Sequence, residues 1–256
     1  MKQLPFEHYV SDFEANFSGW DFGYLTGTSR MQEFPLPWNY YNVLEPYLRE
    51  ANSLLDMGTG GGEFLSRLRP LPPIACATEG YEPNIAVATR NLAPLGVKVV
   101  PVGDDNRLPF EPASFQLVLN RHESYDPAEI KRVLEPGGCF ITQQVGGLND
   151  REFNEALGAP PSEYADWNLS SAAPALQDAG LNVIYSNESV TRTRFYDLGA
   201  VLYYLKNIEW QIPNFTIEGY RDRLESIYRR ILNDGYFEVS CHRFIVMARK
   251  DEDRER

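Results

Sequence analysis

The chain has 256 residues, an apolar share of 43% and a formal net charge of −12. The apolar share is that of a globular protein and argues against a disordered chain, and the acidic balance disfavours a general affinity for nucleic-acid phosphates. No run of about 18 apolar residues occurs, so the sequence predicts no membrane span.

The N-terminus and the cysteines indicate the cellular compartment. Residues 1–20 contain acidic and aromatic side chains where a signal peptide has a continuous apolar core. Cys76, Cys139 and Cys241 lie far apart in apolar runs, which predicts buried thiols rather than a disulfide or a zinc site. We therefore expect a cytoplasmic protein without a metal. The oligomeric state stays open.

Short apolar runs alternate with helical patterns from residue 38 to residue 145. Strands are predicted at 53–58, 73–79, 97–103, 114–121 and 139–145, and helices at 39–50, 63–70, 84–96 and 126–138. Asn84 is the expected N-cap of the third helix, and Pro127 lies in the first turn of the fourth. Strands that are almost continuously apolar are typical of a parallel sheet covered by helices on both faces.

The pattern changes after Val145. Residues 146–168 are predicted to be loop with one short helix, and 169–181 to be a helix if Pro174 lies in its first turn. Two further strands are predicted at 182–195 and 237–250, with helical patterns at 196–208 and 216–235 between them. The sequence therefore predicts seven strands, with a helical insertion between the last two.

A glycine-rich corner follows the first predicted strand of the core. Its pattern is D-x-G-x-G-x-G, formed by Asp56, Gly58, Gly60 and Gly62. Glycines at the carboxyl end of a parallel strand let the backbone turn tightly and approach a ligand. A dinucleotide fingerprint, G-x-G-x-x-G, would need a small residue at position 63 or 65, where Glu63 and Leu65 stand. The ligand is therefore not expected to be a dinucleotide.

Further motifs follow the corner at regular intervals. They are Glu79 in ATEGYEPN, the stretch GDDNRLPF at 103–110, SFQLVLNRHE at 114–123 and RVLEPGGCFI at 132–141. In this order the motifs resemble those of the class I S-adenosylmethionine-dependent methyltransferases, over about residues 50 to 145. The resemblance implies an α/β fold with a Rossmann-like, seven-stranded, mostly parallel sheet whose last strand is antiparallel.

The resemblance also implies a division of one methyltransferase domain, residues 1–256, into segments. Residues 38–145 would form the cofactor-binding core, and 146–180 a connecting loop and helix. Residues 181–250 would hold the terminal strand pair with a helical cap at 196–234. The aromatic segment at 1–37 would form a lid.

S-adenosyl-L-methionine is the cofactor that the resemblance implies, with S-adenosyl-L-homocysteine as product. The matching positions are Asp56, Gly58, Thr59, Gly60, Gly62, Glu79, Gly80, Tyr81, Asp104, Asp105 and Asn120. Glu79 would accept hydrogen bonds from both ribose hydroxyls, which a carboxylate binds more strongly than a neutral group does. Asp104 would face the adenine amine. Glu79 as a helix N-terminal acid and Asp104 as a turn residue are the structural alternatives.

The sequence Asn120-Arg121-His122-Glu123 follows the fourth core strand. The N-P-P-Y type motif of the family's DNA and protein amide methylating branch is missing here, which disfavours those acceptors. His122 is the candidate general base, because a neutral imidazole can take a proton near physiological pH; a structural histidine is the alternative. Arg121 is expected either to anchor an acidic acceptor or to pair with Glu123 or Asp126.

Aromatic residues outside the core are the candidates for a cover over the acceptor. The candidates are Trp20, Phe22, Tyr24, Arg30 and Trp38 before the core and Tyr203, Tyr204 and Trp210 in the insertion. They would exclude water and shape an acceptor pocket. Packing against the sheet is the equally simple alternative.

Four functions remain after these observations. A methyltransferase acting on a small molecule fits the modest caps and the acidic balance best. An RNA or protein methyltransferase would need a basic face, for which 192–194 and 220–230 are the candidates. A non-catalytic S-adenosylmethionine-binding protein would keep the same glycine corner. A nicotinamide-dependent oxidoreductase is disfavoured by Glu63.

Overall fold

The computed structural model describes residues 5–17, 22–103 and 107–252. Three predicted site residues, Trp20, Asp104 and Asp105, lie outside these ranges. Among the described residues, no helix combines the length and the apolar character needed to span a membrane. The three cysteines are free, and Cys76 is only half-buried whereas the other two are buried.

The described residues form one eight-stranded sheet. Its strands are β1 (Met31–Glu33), β2 (Ser53–Met57), β3 (Ile74–Glu79), β4 (Lys98–Pro101), β5 (Phe115–Arg121), β6 (Leu134–Val145), β7 (Asn182–Phe195) and β8 (Phe237–Arg249). They lie in the order β1-β7-β8-β6-β5-β2-β3-β4. Strands β2 to β6 are parallel to their neighbours in this group, and β8 is antiparallel to both β6 and β7. The predicted α/β fold, mostly parallel with an antiparallel last strand, is confirmed.

Helices cover both faces of the sheet. They are α1 (Phe6–Phe13), α2 (Gly23–Thr26), α3 (Tyr40–Glu50), α4 (Glu82–Leu92), α5 (Pro127–Val133), α6 (Arg151–Leu157), α7 (Leu169–Asp178), α8 (Leu198–Asn207) and α9 (Arg221–Asp234). Helices α3 and α4 pack on one face and α5 and α7 on the other. A third apolar cluster joins α1, α6, α8 and α9 to the ends of β7 and β8. This cluster is the helical cap.

The strand order places a ligand crevice at one edge of the sheet. From β2 the chain continues to β3 on one side, whereas β5 lies on the other side of β2. The connections that follow β2 therefore run to one side of the sheet, and the connection that follows β5 runs to the other side. In open α/β sheets, ligands bind outside the carboxyl ends of the strands at such a switch point.

The N-terminal segment contributes an eighth strand that the sequence did not predict. Met31, Gln32 and Glu33 of β1 pair antiparallel with the end of β7. A three-residue strand is too short for its alternation to be visible in the sequence, and it exists here only because a partner strand is in place. Part of the segment interpreted as a lid is therefore the edge of the sheet.

Two predicted helices are shorter than expected. Residues 63–70 form only one 3₁₀ turn, Leu65–Arg67, because Pro70 lacks an amide N–H and disfavours a helical residue before it. The helix predicted at 126–138 ends at Val133, and the chain continues at once as β6.

Two details of the predicted helix ends were wrong. Helix α4 begins at Glu82, so Asn84 lies inside the helix and is buried rather than capping it. Pro174 is the sixth residue of α7 rather than part of its first turn. The helix tolerates it because Pro174 and Ser170, whose carbonyl loses its partner, are both exposed to water.

Candidate functional site

A cavity of about 190 Å³ opens at the carboxyl ends of β2 to β5. Its lining comprises Met57, Gly58, Thr78, Gly80, Val102, Gly103, Arg107, Leu108, Glu123 and Ser124. It lies at the switch point of the sheet, where the fold is expected to bind a ligand. The structure therefore brings the glycine corner and the loop after β5 to one place.

The glycine corner adopts a conformation that other residues rarely reach. Gly58, Gly60 and Gly62 have φ of 61°, 62° and 81°, in the left-handed region that glycine enters without a steric penalty. The Thr59 N–H donates to the Thr78 carbonyl over 2.9 Å and so ties the corner to β3. A Cβ at Gly62 would lie 2.7 Å from Leu92 Cγ, and one at Gly58 would collide with the Glu123 carboxylate.

Two of the predicted acids lie beneath this corner. Glu79 ends β3 and is 4% exposed, and its Oε1 accepts a hydrogen bond of 2.8 Å from the Tyr81 N–H. Burial raises the pKa of Glu79, although the amides of Tyr81, Gly60 and Gly80 oppose the rise. Burial raises the pKa of Asp56, which is 5% exposed, to about 6. Tyr81, a predicted cofactor contact, is 61% exposed.

Glu123 is a third acid at the corner, and the sequence analysis did not select it as a site residue. Its Oε1 accepts from the Ser124 N–H at 3.1 Å and from the Ser124 hydroxyl at 3.3 Å, and burial raises its pKa. The charge of Glu123 also raises the pKa of Glu79, as that of Glu79 raises the pKa of Asp56. The sequence feature that could have identified Glu123 as a site residue is its position in the loop directly after β5.

Asn120 lies in a buried amide network at the end of β5. Its Oδ1 accepts hydrogen bonds from the Thr142 hydroxyl at 3.1 Å and from Gln144 Nε2 at 2.7 Å. Its Nδ2 is buried without a hydrogen-bond partner among the described residues. Asn120 pairs in register with Met57, which lines the cavity. An unsatisfied buried donor is costly, so this group is available to a ligand.

Arg121 forms neither of the ion pairs that the sequence offered. Its guanidinium lies 5.2 Å from the centre of the Phe64 ring, and it has no salt bridge within the part of the chain that the structure describes. Glu123 bonds Ser124, and Asp126 caps α5 by accepting from the Ala128 N–H at 2.8 Å. Arg121 therefore presents an exposed positive charge beside the corner.

His122 lies in a recess of the same loop. It retains more than a third of its surface, yet the surrounding protein lowers its pKa well below the usual value by desolvation, with contributions from Arg243 and Arg121. Its φ is 68°, and its N–H donates to the Gln143 carbonyl over 2.8 Å. The ring is therefore neutral at physiological pH.

Among the cover candidates in the described part of the chain, Trp38 reaches this loop through two successive hydrogen bonds. Its Nε1 donates to Gln143 Oε1 over 2.8 Å, and Gln143 Nε2 lies 3.2 Å from His122 Nε2. Neither Gln143 nor this chain of contacts was predicted. Residues 38, 122 and 143 are distant in sequence, so no local signal connects them.

Other cover candidates are engaged in the cap. The Arg30 guanidinium bonds Asp12 and Asp197 at 2.6–3.0 Å. Tyr203 is 1% exposed, and its ring centre lies 4.7 Å from that of Tyr24. For Arg30 and Tyr203 the structure supports the packing interpretation. Phe22 and Tyr204 also pack in this cluster.

Metal sites in proteins are built from clustered His, Cys, Asp and Glu side chains. Within residues 5–17, 22–103 and 107–252, no three of them cluster in a way that could hold an ion.

Comparison with known proteins gives one family. The family described as "Methyltransferase domain" matches residues 55–142, which contain the glycine corner and strands β3 to β5 with most of β6. No curated protein is similar enough in sequence to give a match.

Solved structures share the fold at low sequence identity. A protein from Bacillus halodurans that is assigned as a methyltransferase has 17% identity and a TM-score of 0.60, covering 83% of this chain and 99% of its own. A SAM-dependent methyltransferase from Aquifex aeolicus has 15% identity and a TM-score of 0.51, covering 96% and 99%. The [4+2]-cyclase SpnF has 16% identity and a TM-score of 0.53, covering 82% and 79%.

Proposed function

Since the chain belongs to the class I S-adenosylmethionine-dependent methyltransferase superfamily through its domain at residues 55–142, we propose that it transfers a methyl group from S-adenosylmethionine to a small-molecule acceptor. When bound, that cofactor supplies an electrophilic methyl group on a positively charged sulfur. The residues at the carboxyl ends of β2 to β5 fit such a ligand.

The observation that carries the proposal is the group of three acids at the glycine corner. Desolvation raises the pKa values of Asp56, Glu79 and Glu123, and the charge of a neighbouring acid adds to the rise for Asp56 and Glu79. None of the three forms a salt bridge among the described residues. A ligand with positive charge would relieve this repulsion. The phosphates of a dinucleotide would increase it.

Individual residues then have definite roles. Glu79 would turn its carboxylate to the ribose hydroxyls, and the left-handed glycines let the backbone turn tightly beside the ligand. Asp56 and Glu123 would stabilise the positive charge. Asp104 and Asp105 remain proposed adenine contacts.

Methyl transfer itself demands alignment and exclusion of water. The carbon–sulfur bond breaks with its electron pair going to sulfur, while a lone pair of the acceptor forms the new bond to carbon. Arg121 and His122 lie at the edge of the corner where the acceptor would enter. An acceptor that is already nucleophilic needs no base.

A nucleic-acid acceptor is disfavoured by the basic clusters themselves. Arg192 and Arg194 both pair with Glu238. On α9, Arg221 and Arg229 pair with Glu225. Each pair of arginines shares one glutamate, and these interleaved acids reduce the positive charge that a basic face would need.

Calorimetric titration with S-adenosylmethionine, S-adenosylhomocysteine and NAD tests the donor. We expect micromolar binding of both sulfur ligands and none of NAD. Binding of NAD alone would contradict the proposal.

A screen of small acceptors for formation of S-adenosylhomocysteine then tests catalysis. Donor binding without methyl transfer to any acceptor would favour the alternative of an S-adenosylmethionine-binding protein that does not transfer methyl groups.

A further inference from the structure

The hydrogen-bond chain from Trp38 to His122 fixes the position of a proton. An indole nitrogen can only donate, so the atom of Gln143 that lies 2.8 Å from Trp38 Nε1 must be the amide oxygen. The amide NH₂ of Gln143 is then the group that lies 3.2 Å from His122 Nε2. Since an NH₂ group only donates, His122 Nε2 must accept.

This arrangement determines the tautomer of His122. In a neutral imidazole one nitrogen accepts and the other carries the proton. With Nε2 accepting from Gln143, the proton is on Nδ1. The ring therefore offers an N–H to a ligand, and its remaining lone pair is already used. His122 in this state is a hydrogen-bond donor and not the general base that the sequence suggested.

The positive charge of Arg121, beside His122, also favours an anionic ligand. Arg121 pairs in register with Gln143 across the β5–β6 ladder, and it is exposed without a salt bridge among the described residues. Arg243 also contributes positive charge at His122, but it is bound by Glu33 at 3.2 Å. Of these two arginines, Arg121 is the one that has no salt bridge within the described part of the chain.

The acids cluster at the glycine corner, where Arg107 also lines the cavity, and Arg121 lies at the end of β5. Asp56, Glu79 and Glu123 lie at the glycine corner, whereas Arg121 and the His122 N–H lie where the loop after β5 leaves the sheet. A cationic donor matches the first group and an anionic acceptor matches the second.

We propose that the acceptor carries a carboxylate, which pairs with Arg121 and accepts a hydrogen bond from His122 Nδ1. Trp38 and Gln143 are positioning residues, which hold His122 in the donating tautomer. The inference rests on the proposed function in taking the second ligand to be the methyl acceptor. The anion subsite itself depends only on Arg121, His122 and their contacts.

The tautomer is tested directly by nitrogen NMR. The chain contains three histidines, His8, His122 and His242, so ¹⁵N-histidine labelling gives a simple spectrum, and His122→Asn identifies the His122 signals. Asn tolerates the left-handed φ of 68° at this position. We expect a protonated Nδ1 and an unprotonated Nε2. A protonated Nε2 would overturn the assignment.

Gln143→Glu serves as the positioning test. A carboxylate can still accept from Trp38, but it would also accept from His122 and so move the proton to Nε2. The ¹⁵N chemical shifts of His122 should then show a protonated Nε2 and an unprotonated Nδ1. An unchanged signature would show that Gln143 does not set the tautomer.

The anion subsite is tested with benzoate, and with benzamide as its neutral counterpart, on protein saturated with S-adenosylhomocysteine. We expect benzoate, and not benzamide, to shift the His122 signals. Arg121→Gln should weaken the benzoate response about tenfold or more, the loss expected for one charge-assisted hydrogen bond. Arg90→Gln, an exposed arginine on α4, should leave it unchanged. Equal responses to the two probes, or equal effects of the two variants, would overturn the subsite.

The same titrations without S-adenosylhomocysteine separate the two proposals. If the sulfur ligand fails to bind while the Arg121-dependent benzoate shift persists, the proposed donor is wrong and the anion subsite stands. If the sulfur ligand binds and benzoate has no effect in either state, the subsite is wrong and the donor stands.

Discussion

Two parts of the molecule bury carboxylates in opposite ways. At the glycine corner, burial raises the pKa of Asp56 to about 6, and no salt bridge compensates it among the described residues. In the cap, burial would likewise raise the pKa of Asp12, but hydrogen bonds from Arg30 and Tyr24 hold it below its usual value. In the cap, Arg30 bonds the carboxylates directly, whereas at the corner Arg121 acts on Asp56 without a salt bridge among the described residues.

This difference separates the proposed binding site from the ion-pair cluster of the cap. Arg30 bonds both Asp12 and Asp197 and so joins α1 to the start of α8. The corner keeps three acids near one another at a cost in stability. Such a cost is common at functional sites. Charges that the fold leaves uncompensated therefore indicate where a ligand binds.

Replacing Arg30 should have the largest effect on folding. In Arg30→Met, Asp12 and Asp197 lose their cation, and removing one partner of a mostly buried ion pair costs about 3 kcal/mol. We expect the free energy of unfolding in urea to fall by that amount, while the affinity of the folded protein for S-adenosylhomocysteine stays the same. Arg229→Met, which loses an exposed pair with Glu225, should cost at most about 0.5 kcal/mol. Equal losses would remove the distinction between the clusters.

Replacing Glu79 should show the reverse pattern. Glu79→Gln removes the charge of a carboxylate proposed to hold two ribose hydroxyls, so donor binding should weaken by about 1.5–3 kcal/mol in calorimetry. Stability should change little or rise, because a buried charge is removed. Glu82→Gln, an exposed acid in the first turn of α4, is the control. Unchanged donor affinity in Glu79→Gln would disprove the ribose assignment.

Acidification should weaken donor binding. With a pKa of about 6, Asp56 is mostly ionised at pH 7 and mostly protonated at pH 5, so affinity for S-adenosylmethionine should fall about tenfold between them if its charge is required. Asp56→Asn should flatten that profile. Arg121 and Glu79 are the charged groups that act on Asp56. If the affinity of the wild type and of Asp56→Asn depended on pH in the same way, the charge of Asp56 would not contribute to binding the ligand.

Without ligand, the folding stability of the protein should rise on acidification, whereas donor binding should weaken. A carboxyl whose pKa is raised on folding binds protons more tightly in the folded state, so stability decreases as pH rises from about 4 to about 6. The raised pKa values of Glu79 and Glu123 act in the same direction. Urea denaturation of wild type and Asp56→Asn across this range measures the contribution.

Changing the basic cluster on β7 should have the smallest effect. Arg192 and Arg194 pair with Glu238, so Arg192→Gln with Arg194→Gln should change stability by about 1 kcal/mol or less. Neither the variant nor the wild type should bind a short single-stranded RNA in fluorescence anisotropy. RNA binding that the double variant loses would support an RNA acceptor.

Much of the fold could be predicted because local patterns were strong. Continuous apolar runs located β2, β3 and β5, and the prediction at 182–195 coincides with β7. The missed features depended on distant partners. β1 forms against β7, and the contacts of Trp38 with Gln143 join residues 105 positions apart.

By itself, the sequence determined the order of strands and helices, the glycine corner and the acid that ends β3, because each is a local pattern with a backbone requirement. Only the tertiary structure decided which charged groups are compensated. It placed Arg30 between two acids, left Arg121 without one, and brought Glu123 against Gly58. Charge compensation depends on distances between elements far apart in the chain, and a one-dimensional pattern does not contain them.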